Sequence, residues 1–180
     1  MTTYISILRG INVSGHNIIK MDALKKMYEA LGFHNARSYV QSGNVAFECV
    51  ETDVKELANK ITEEIAKQFG YHVPVIVFTR GVLENIIDKN ILAKDGSKDT
   101  KFLHVTFLAD KPVGYDSKAI EDKMFADEEI HFSDEAVYIY IPGGYGDTKL
   151  SNAFLESKLK VKATTRNWKT TNELLKLADK

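Results

Sequence analysis

An order of strand, helix, strand, strand, helix, strand, met twice along 180 residues, predicts an α+β protein. The order is that of two ferredoxin-like (βαββαβ) subdomains in tandem, followed by a C-terminal helix. Three observations carry the prediction. Strand-like runs flank two amphipathic helices in the first half. A polar stretch at 88–100 then interrupts the pattern, and the pattern restarts after it. The composition, 44% hydrophobic and 27% charged, is that of a chain able to bury a core without a disulfide or metal staple. The expected divisions are 1–80 and 101–166 for the subdomains, 81–100 for a connecting helix and linker, and 167–180 for the last helix.

Residues Thr3 to Leu8 read as a strand because Tyr4, Ile5, Ile7 and Leu8 are aromatic, β-branched or apolar. After the loop from Gly10 to Asn17, Met21, Leu24, Met27, Tyr28 and Leu31 recur at helical spacing, with Gly32 as a stop. Arg37 to Gln41 and Val45 to Cys49 read as strands joined at Ser42-Gly43-Asn44, where Gly43 allows the positive φ of a primed turn. Val54, Leu57, Ala58, Ile61, Ile65 and Phe69 mark the buried face of the second helix. Asp53 with Glu56 forms a capping-box pattern at its start, and Gly70 ends it. Val73 to Phe78 is a continuous apolar strand, and Val82 to Ile87 a short connecting helix.

In the second half the strands fall at Phe102 to Leu108, Glu129 to Phe132 and Ala136 to Ile141, with a turn at Ser133-Asp134-Glu135. A short helix is expected around Ser117 to Met124 and another from about Lys149 to Leu159. Val161 to Thr165 reads as the final strand, and a last helix carries Trp168, Thr171, Leu175 and Ala178 on one face. The order is read as making the first and third strands of each half parallel. That reading sets loops 10–20 and 50–52 on one edge of the first sheet, with the Ser42-Gly43-Asn44 hairpin at the opposite edge. It likewise sets loops 109–115 and 142–148 on one edge of the second.

Lys plus Arg number 24 and Asp plus Glu 25, a net charge of −1. Near-balance argues against a general nucleic-acid or membrane binder and confines any anion site to a local patch. The one cysteine, Cys49, cannot form an intramolecular disulfide, and no signal peptide or membrane span is apparent, so a cytoplasmic protein is expected.

Three stretches are candidates for chemistry. Pro142-Gly143-Gly144-Tyr145-Gly146-Asp147-Thr148-Lys149 follows a strand and precedes a helix, the setting of a phosphate cradle helped by Thr148 and Lys149. Its spacing matches neither a P-loop nor a dinucleotide fingerprint, and a tight turn with Thr148 as N-cap is the plain alternative. The loop from Arg9 to Lys20 concentrates Arg9, Asn12, Ser14, His16, Asn17 and Lys20 around two glycines. Its length suits ligand binding, while its Asn and Ser side chains equally suit satisfying their own backbone. In Thr164-Thr165-Arg166-Asn167-Trp168-Lys169-Thr170, Arg166 is placed to clamp a carboxylate or phosphate beside a Trp168 stacking wall. Alternatively Asn167 or Thr170 caps the helix and Trp168 packs in the core.

No histidine spacing or cysteine pair forms a metal site, no cofactor motif occurs, and no G-x-S-x-G elbow or paired catalytic carboxylates stand out. Cys49 is expected to be an inert strand-end thiol.

Three blocks together resemble one family. The first is Leu8-Arg9-Gly10-Ile11-Asn12-Val13 with Gly15, Asn17 and Lys20-Met21. The second is Leu31-Gly32-Phe33 with Tyr39-Val40-Gln41-Ser42-Gly43-Asn44-Val45. The third joins Gly144-Tyr145-Gly146-Asp147-Thr148-Lys149-Leu150 to Ala163-Thr164-Thr165-Arg166-Asn167-Trp168-Lys169-Thr170. The chain thereby resembles the bacterial domain-of-unknown-function family 1697 over its whole length. The resemblance implies two ferredoxin-like subdomains and carries no activity with it. Ser14 stands where that family more often has Gly, and His16 where Lys is common.

The functional expectation is capture of an anionic small molecule, a nucleotide or phosphorylated metabolite, at the Gly-rich loops. The residues expected to bind it are Arg9, Asn12, Lys20, Thr148, Lys149, Arg166, Asn167 and Trp168. The alternatives are an enzyme working through the same loops with an unnamed acid or base, an RNA-binding module, and a purely structural protein. An RNA-binding sheet is disfavoured by the charge balance and by the lack of an RNP-like string. Oligomeric state is not written in the sequence.

Overall fold

The computed structural model describes the whole chain, Met1–Lys180. It forms two compact units, Met1–Glu84 with Glu173–Lys180, and Asn85–Asn172.

In the first unit the apolar run Thr2–Leu8 becomes β1, buried on both faces from Tyr4 onward. It is followed by α1 (Met21–Ala30), β2 (His34–Tyr39), β3 (Asn44–Cys49), α2 (Val54–Phe69), β4 (Val75–Thr79) and α3 (Arg80–Asp88). The sheet order is β2-β3-β1-β4, antiparallel throughout. The helical periodicity of α1 and α2 delivers Leu24, Met27 and Tyr28, and Leu57, Ile61 and Ile65, onto the face that carries Tyr4, Leu8, Val45, Phe47 and Val77.

Aromatic packing organises that core. The Phe47 ring lies 4.6 Å from Phe33, 5.3 Å from Tyr28 and 5.8 Å from Tyr4. Each such fully buried side chain stabilises by about 1.5–3 kcal/mol. The Tyr28 hydroxyl shares a 2.7 Å hydrogen bond with Ser6 Oγ, which satisfies the buried polar tip.

The end of α1 shows how local chemistry steers the chain. Gly32 takes φ +84°, its N–H donates to Glu29 O at 2.9 Å, and Phe33 N–H donates to Tyr28 O at 3.1 Å. This is a Schellman motif, and the Tyr28–Phe33 ring pair supplies the apolar contact that accompanies it. At the other helix, Asp53 Oδ1 accepts from the N–H groups of Lys55 and Glu56, the N-cap that the sequence suggests.

The second unit contains β5 (Leu103–Leu108), α4 (Ser117–Glu121), β6 (Glu129–Phe132), β7 (Ala136–Tyr140), α5 (Asn152–Leu159), β8 (Ala163–Asn167) and most of the first half of α6 (Trp168–Ala178). Its sheet order, β6-β7-β5-β8, repeats that of the first. Ile120, Leu155 and Leu159 pack with Leu108, Val137, Ile139 and Ala163. Thr165 Oγ1 donates to Asn152 Oδ1 at 2.7 Å and bonds Thr106 Oγ1 at 2.8 Å, fastening β8 to both β5 and the start of α5. The polar stretch before β5 is held down, not loose. Lys98 Nζ lies 2.6 Å from Asp95 and 3.0 Å from Glu129, with its side chain only 10% exposed.

Two expectations are corrected here. The first and third strands are antiparallel in both sheets, not parallel. The helical crossover makes the first and second strands run the same way, and the hairpin then inserts the third between them in the opposite sense. Loop 9–20 and the hairpin loop 40–43 therefore share one end of the first sheet, and 50–52 lies at the other. In the second sheet, loops 109–115 and 142–148 fall at opposite ends for the same reason. The second correction concerns α5, which begins at Asn152 and not near Lys149. Ser151 is its N-cap, accepting from Phe154 N–H at 3.2 Å.

Candidate functional site

The antiparallel order brings the first two sequence blocks together. Leu8 N–H donates to Gly43 O at 2.8 Å, so the hairpin is seated on the end of β1. Gly43 has φ +81°, and a Cβ there would stand 2.6 Å from Leu8 Cβ. Asn12, at φ 54°, links three segments. Its Nδ2 donates to Ile19 O at 2.9 Å and to Gln41 O at 2.8 Å, and its Oδ1 accepts from Ile19 N–H at 2.9 Å. Asn17 Nδ2 donates to Gly10 O at 3.0 Å. The loop's amides thus organise its own backbone, and Asn12 acts as a brace.

What the brace holds open is a cleft of about 560 Å³ at the N-terminus of α1, lined by Asn12, Ile18, Lys20, Met21, Lys26 and Gln41 among others. Lys20 occupies the N-cap position with φ −67° and ψ 129°, and no side chain caps the helix. The first N–H groups of α1 have no intrahelical acceptor, and the helix dipole adds positive potential at the same place. Lys20 and Lys26 add cationic side chains. Asp22, the one carboxylate on the cleft, pairs with Lys25 at 3.1 Å. Arg9 sits at the same sheet end, its N–H donating to Pro74 O at 3.0 Å, and does not line the cleft.

The second unit gathers the third block at one end of its own sheet. Ile141 N–H donates to Phe102 O at 2.9 Å, and the Tyr145 ring stacks on His104 at 5.1 Å, so the Gly-rich loop folds over the start of β5. Burial lowers the His104 pKa from its ordinary value. Thr148 Oγ1 accepts from Leu150 N–H at 3.2 Å, a local turn contact and not a helix cap. Because α5 starts three residues after Lys149, the Gly-rich loop has no helix N-terminus to work with, which removes the main physical reason for a cradle. Lys149 is exposed.

β8 separates the remaining candidates by the alternation of a strand. Arg166 pairs with Val105 on one face, and Asn167 pairs with His104 on the other. Arg166 Nη1 donates to Thr165 O at 3.1 Å, and burial pulls the guanidinium down to about 10. Asn167 caps α6, its Oδ1 accepting from Thr170 N–H at 2.8 Å. Asn167 and Trp168 line a second cleft, of about 410 Å³, with Thr100, Lys101 and Lys169.

The structure thus unites Asn12 with Lys20 in one unit and Asn167 with Trp168 in the other. Arg9, Thr148, Lys149 and Arg166 lie outside both clefts. Lys26, Gln41 and Lys101 were not legible as site residues. Lys26 shared a helical face with Asp22, but Gln41 and Lys101 reach their clefts only through strand pairing.

Cys49 is 5% exposed, and burial pushes its thiol up despite the opposing influence of Thr52 and Lys60. No group of three or more His, Cys, Asp or Glu side chains is placed to hold a metal ion. No helix is long and apolar enough to cross a membrane.

Two four-stranded antiparallel sheets, each covered by helices in a βαββαβ order, define an α+β protein of two ferredoxin-like subdomains in tandem with a C-terminal helix. The chain belongs to the family described as Protein of unknown function (DUF1697), whose model matches residues 1–138. That match spans the first two sequence blocks and stops before the third. A solved structure of a conserved bacterial protein from Streptococcus pneumoniae is similar with a TM-score of 0.74 and 21% identity, covering 98% of each chain. At that identity the likeness is one of fold. No curated protein matches the chain.

Proposed function

We propose that this protein binds a small anionic molecule, a nucleotide or phosphorylated metabolite, with its anionic group at the N-terminus of α1. The observation that carries the reading is the open cap. No side chain bonds to the N-cap of α1, whose first turn faces a cleft bearing Lys20 and Lys26 beside the ion-paired Asp22. Backbone N–H groups at such a position hold phosphate oxygens in place, and flanking ammonium groups add charge without demanding a fixed geometry. The Asn12 brace keeps loop 9–20 and the hairpin ordered before a ligand arrives, which reduces the entropy lost on binding. The Gly-rich loop at 142–148 belongs to the second unit and is not part of this site.

Thermal unfolding against a panel of inorganic phosphate, sugar phosphates and nucleotides tests the reading. A ligand at 100 times its Kd adds about 2.7 kcal/mol, worth roughly 5–10 °C in a chain of this size. The combined Lys20→Ala and Lys26→Ala variant should remove the shift given by inorganic phosphate and sugar phosphates. A flat panel, or a shift with these base-free ligands that survives the double substitution, refutes the proposal.

A further inference from the structure

We propose that the cleft between the start of β5 and the start of α6 is a separate binding site for a phosphorylated nucleoside, with the base against Trp168 and the phosphate on Lys101 and Lys169. The inference stands on the second unit alone and does not depend on the α1 cleft. Three features of the wall support it.

First, the wall is rich in donors and poor in acceptors. Thr100, Lys101, Asn167, Trp168 and Lys169 line a volume of about 410 Å³, and no carboxylate is among them. Asp99, next in sequence, is already occupied, accepting from Lys101 N–H at 3.0 Å and pairing with Lys101 Nζ at 3.2 Å. That ion pair is exposed, and pairs of this kind are weak enough for a dianion to displace. Lys169 makes no ion pair, and neither Asn167 Nδ2 nor Trp168 Nε1 finds a protein acceptor, although the Asn167 oxygen is committed to capping α6.

Second, the wall is chemically divided. A bare phosphate needs only the lysines. The indole adds a flat, polarisable surface of the type on which nucleobases stack, and it is the single tryptophan of the chain. Third, the volume falls within the range of small-molecule sites, roughly 300–1,000 Å³. The wall itself is firmly placed, because Asn167 is fixed by its cap and by pairing with His104.

The single tryptophan makes the test specific. Its fluorescence, excited at the red edge of indole absorption, is followed while adenosine monophosphate, adenosine and inorganic phosphate are titrated separately into the full-length protein. Saturable quenching by the nucleotide is expected, with adenosine at least about tenfold weaker because it lacks the charge. The Lys101→Ala and Lys169→Ala double variant, checked for an unchanged circular dichroism spectrum, should raise the nucleotide Kd by about tenfold or more. A short oligoribonucleotide that binds more tightly than the mononucleotide also supports the site and assigns its nucleoside to a strand.

Absence of saturable quenching at millimolar nucleotide overturns the proposal. So does an unchanged Kd in the double variant, or inorganic phosphate reproducing the full affinity. The Lys20→Ala and Lys26→Ala protein separates the two sites. Its quenching curve should match that of the wild type, and loss of quenching there would assign the signal to the α1 cleft and overturn this inference.

Discussion

Replacing Gly43 by alanine probes the contact on which the first cleft is built. The added Cβ meets Leu8 Cβ at 2.6 Å and the Ile11 side chain at 3.0 Å. Leu8 Cβ is fixed by the β1 backbone and cannot swing aside, so β1 or the hairpin must move. A left-handed conformation costs a non-glycine residue about 1–2 kcal/mol, and overpacking a buried site adds roughly 1–3 kcal/mol. Together the loss is about 2–5 kcal/mol. Gly15→Ala is the matched control, because Gly15 has φ +78° and nothing within 4 Å of its Cβ position. It should incur only the conformational part. Urea unfolding followed by circular dichroism resolves the two. At a slope of about 2 kcal/mol per molar urea, Gly43→Ala lowers the midpoint by roughly 1–2.5 M and Gly15→Ala by less than about 1 M. Equal losses from the two substitutions would refute the argument that the hairpin is seated by close approach.

Asn12→Ala removes the bonds to Ile19 O, Gln41 O and Ile19 N–H together and leaves an alanine at positive φ. It should cost about 2–4 kcal/mol in urea unfolding and speed hydrogen exchange in residues 9–20 and 40–43. The buried phenols set a high-pH limit on stability. Burial raises Tyr138 to about 12 and Tyr28 further still, so the folded chain keeps protons that the unfolded chain loses above pH about 10. Stability is therefore complete below about pH 10 and falls above it, by at most about 1.4 kcal/mol per pH unit per tyrosine. Unfolding free energies of the wild type and the Tyr28→Phe, Tyr138→Phe protein, compared between pH 9 and 11, should show a shallower slope for the variant.

The elements of this fold were legible because each rests on local chemistry. Asp53 caps α2, Gly32 stops α1, and Glu129–Phe132 forms a strand, all as the residues themselves suggest. Strand direction was misread because it is a property of the connections, not of any residue. The error carried through to the site, since it placed the hairpin away from loop 9–20, whereas Asn12 bonds directly to Gln41. The start of α5 was placed too early for a related reason. Glycines near a helix suggest a phosphate cradle, but Ser151 captures the cap and moves the helix start beyond the loop. Lys101 entered no reading because nothing along the chain links it to Trp168; the pairing of β5 with β8 does. Within the third block, Thr165 and Asn167 tie strands and helices together, so a distinctive motif here is partly a fastening.

The buried Cys49 has a practical consequence. It is only 5% exposed, on the wall of a cleft of about 200 Å³, and its proton is held more tightly than that of a free thiol, so it should react slowly with bulky alkylating and disulfide-forming reagents at neutral pH. A cysteine introduced on the surface becomes the one fast-reacting thiol of the molecule. Spin labels, fluorophores or crosslinkers can then be attached at a chosen position without first replacing residue 49, and without disturbing the aromatic core beside it.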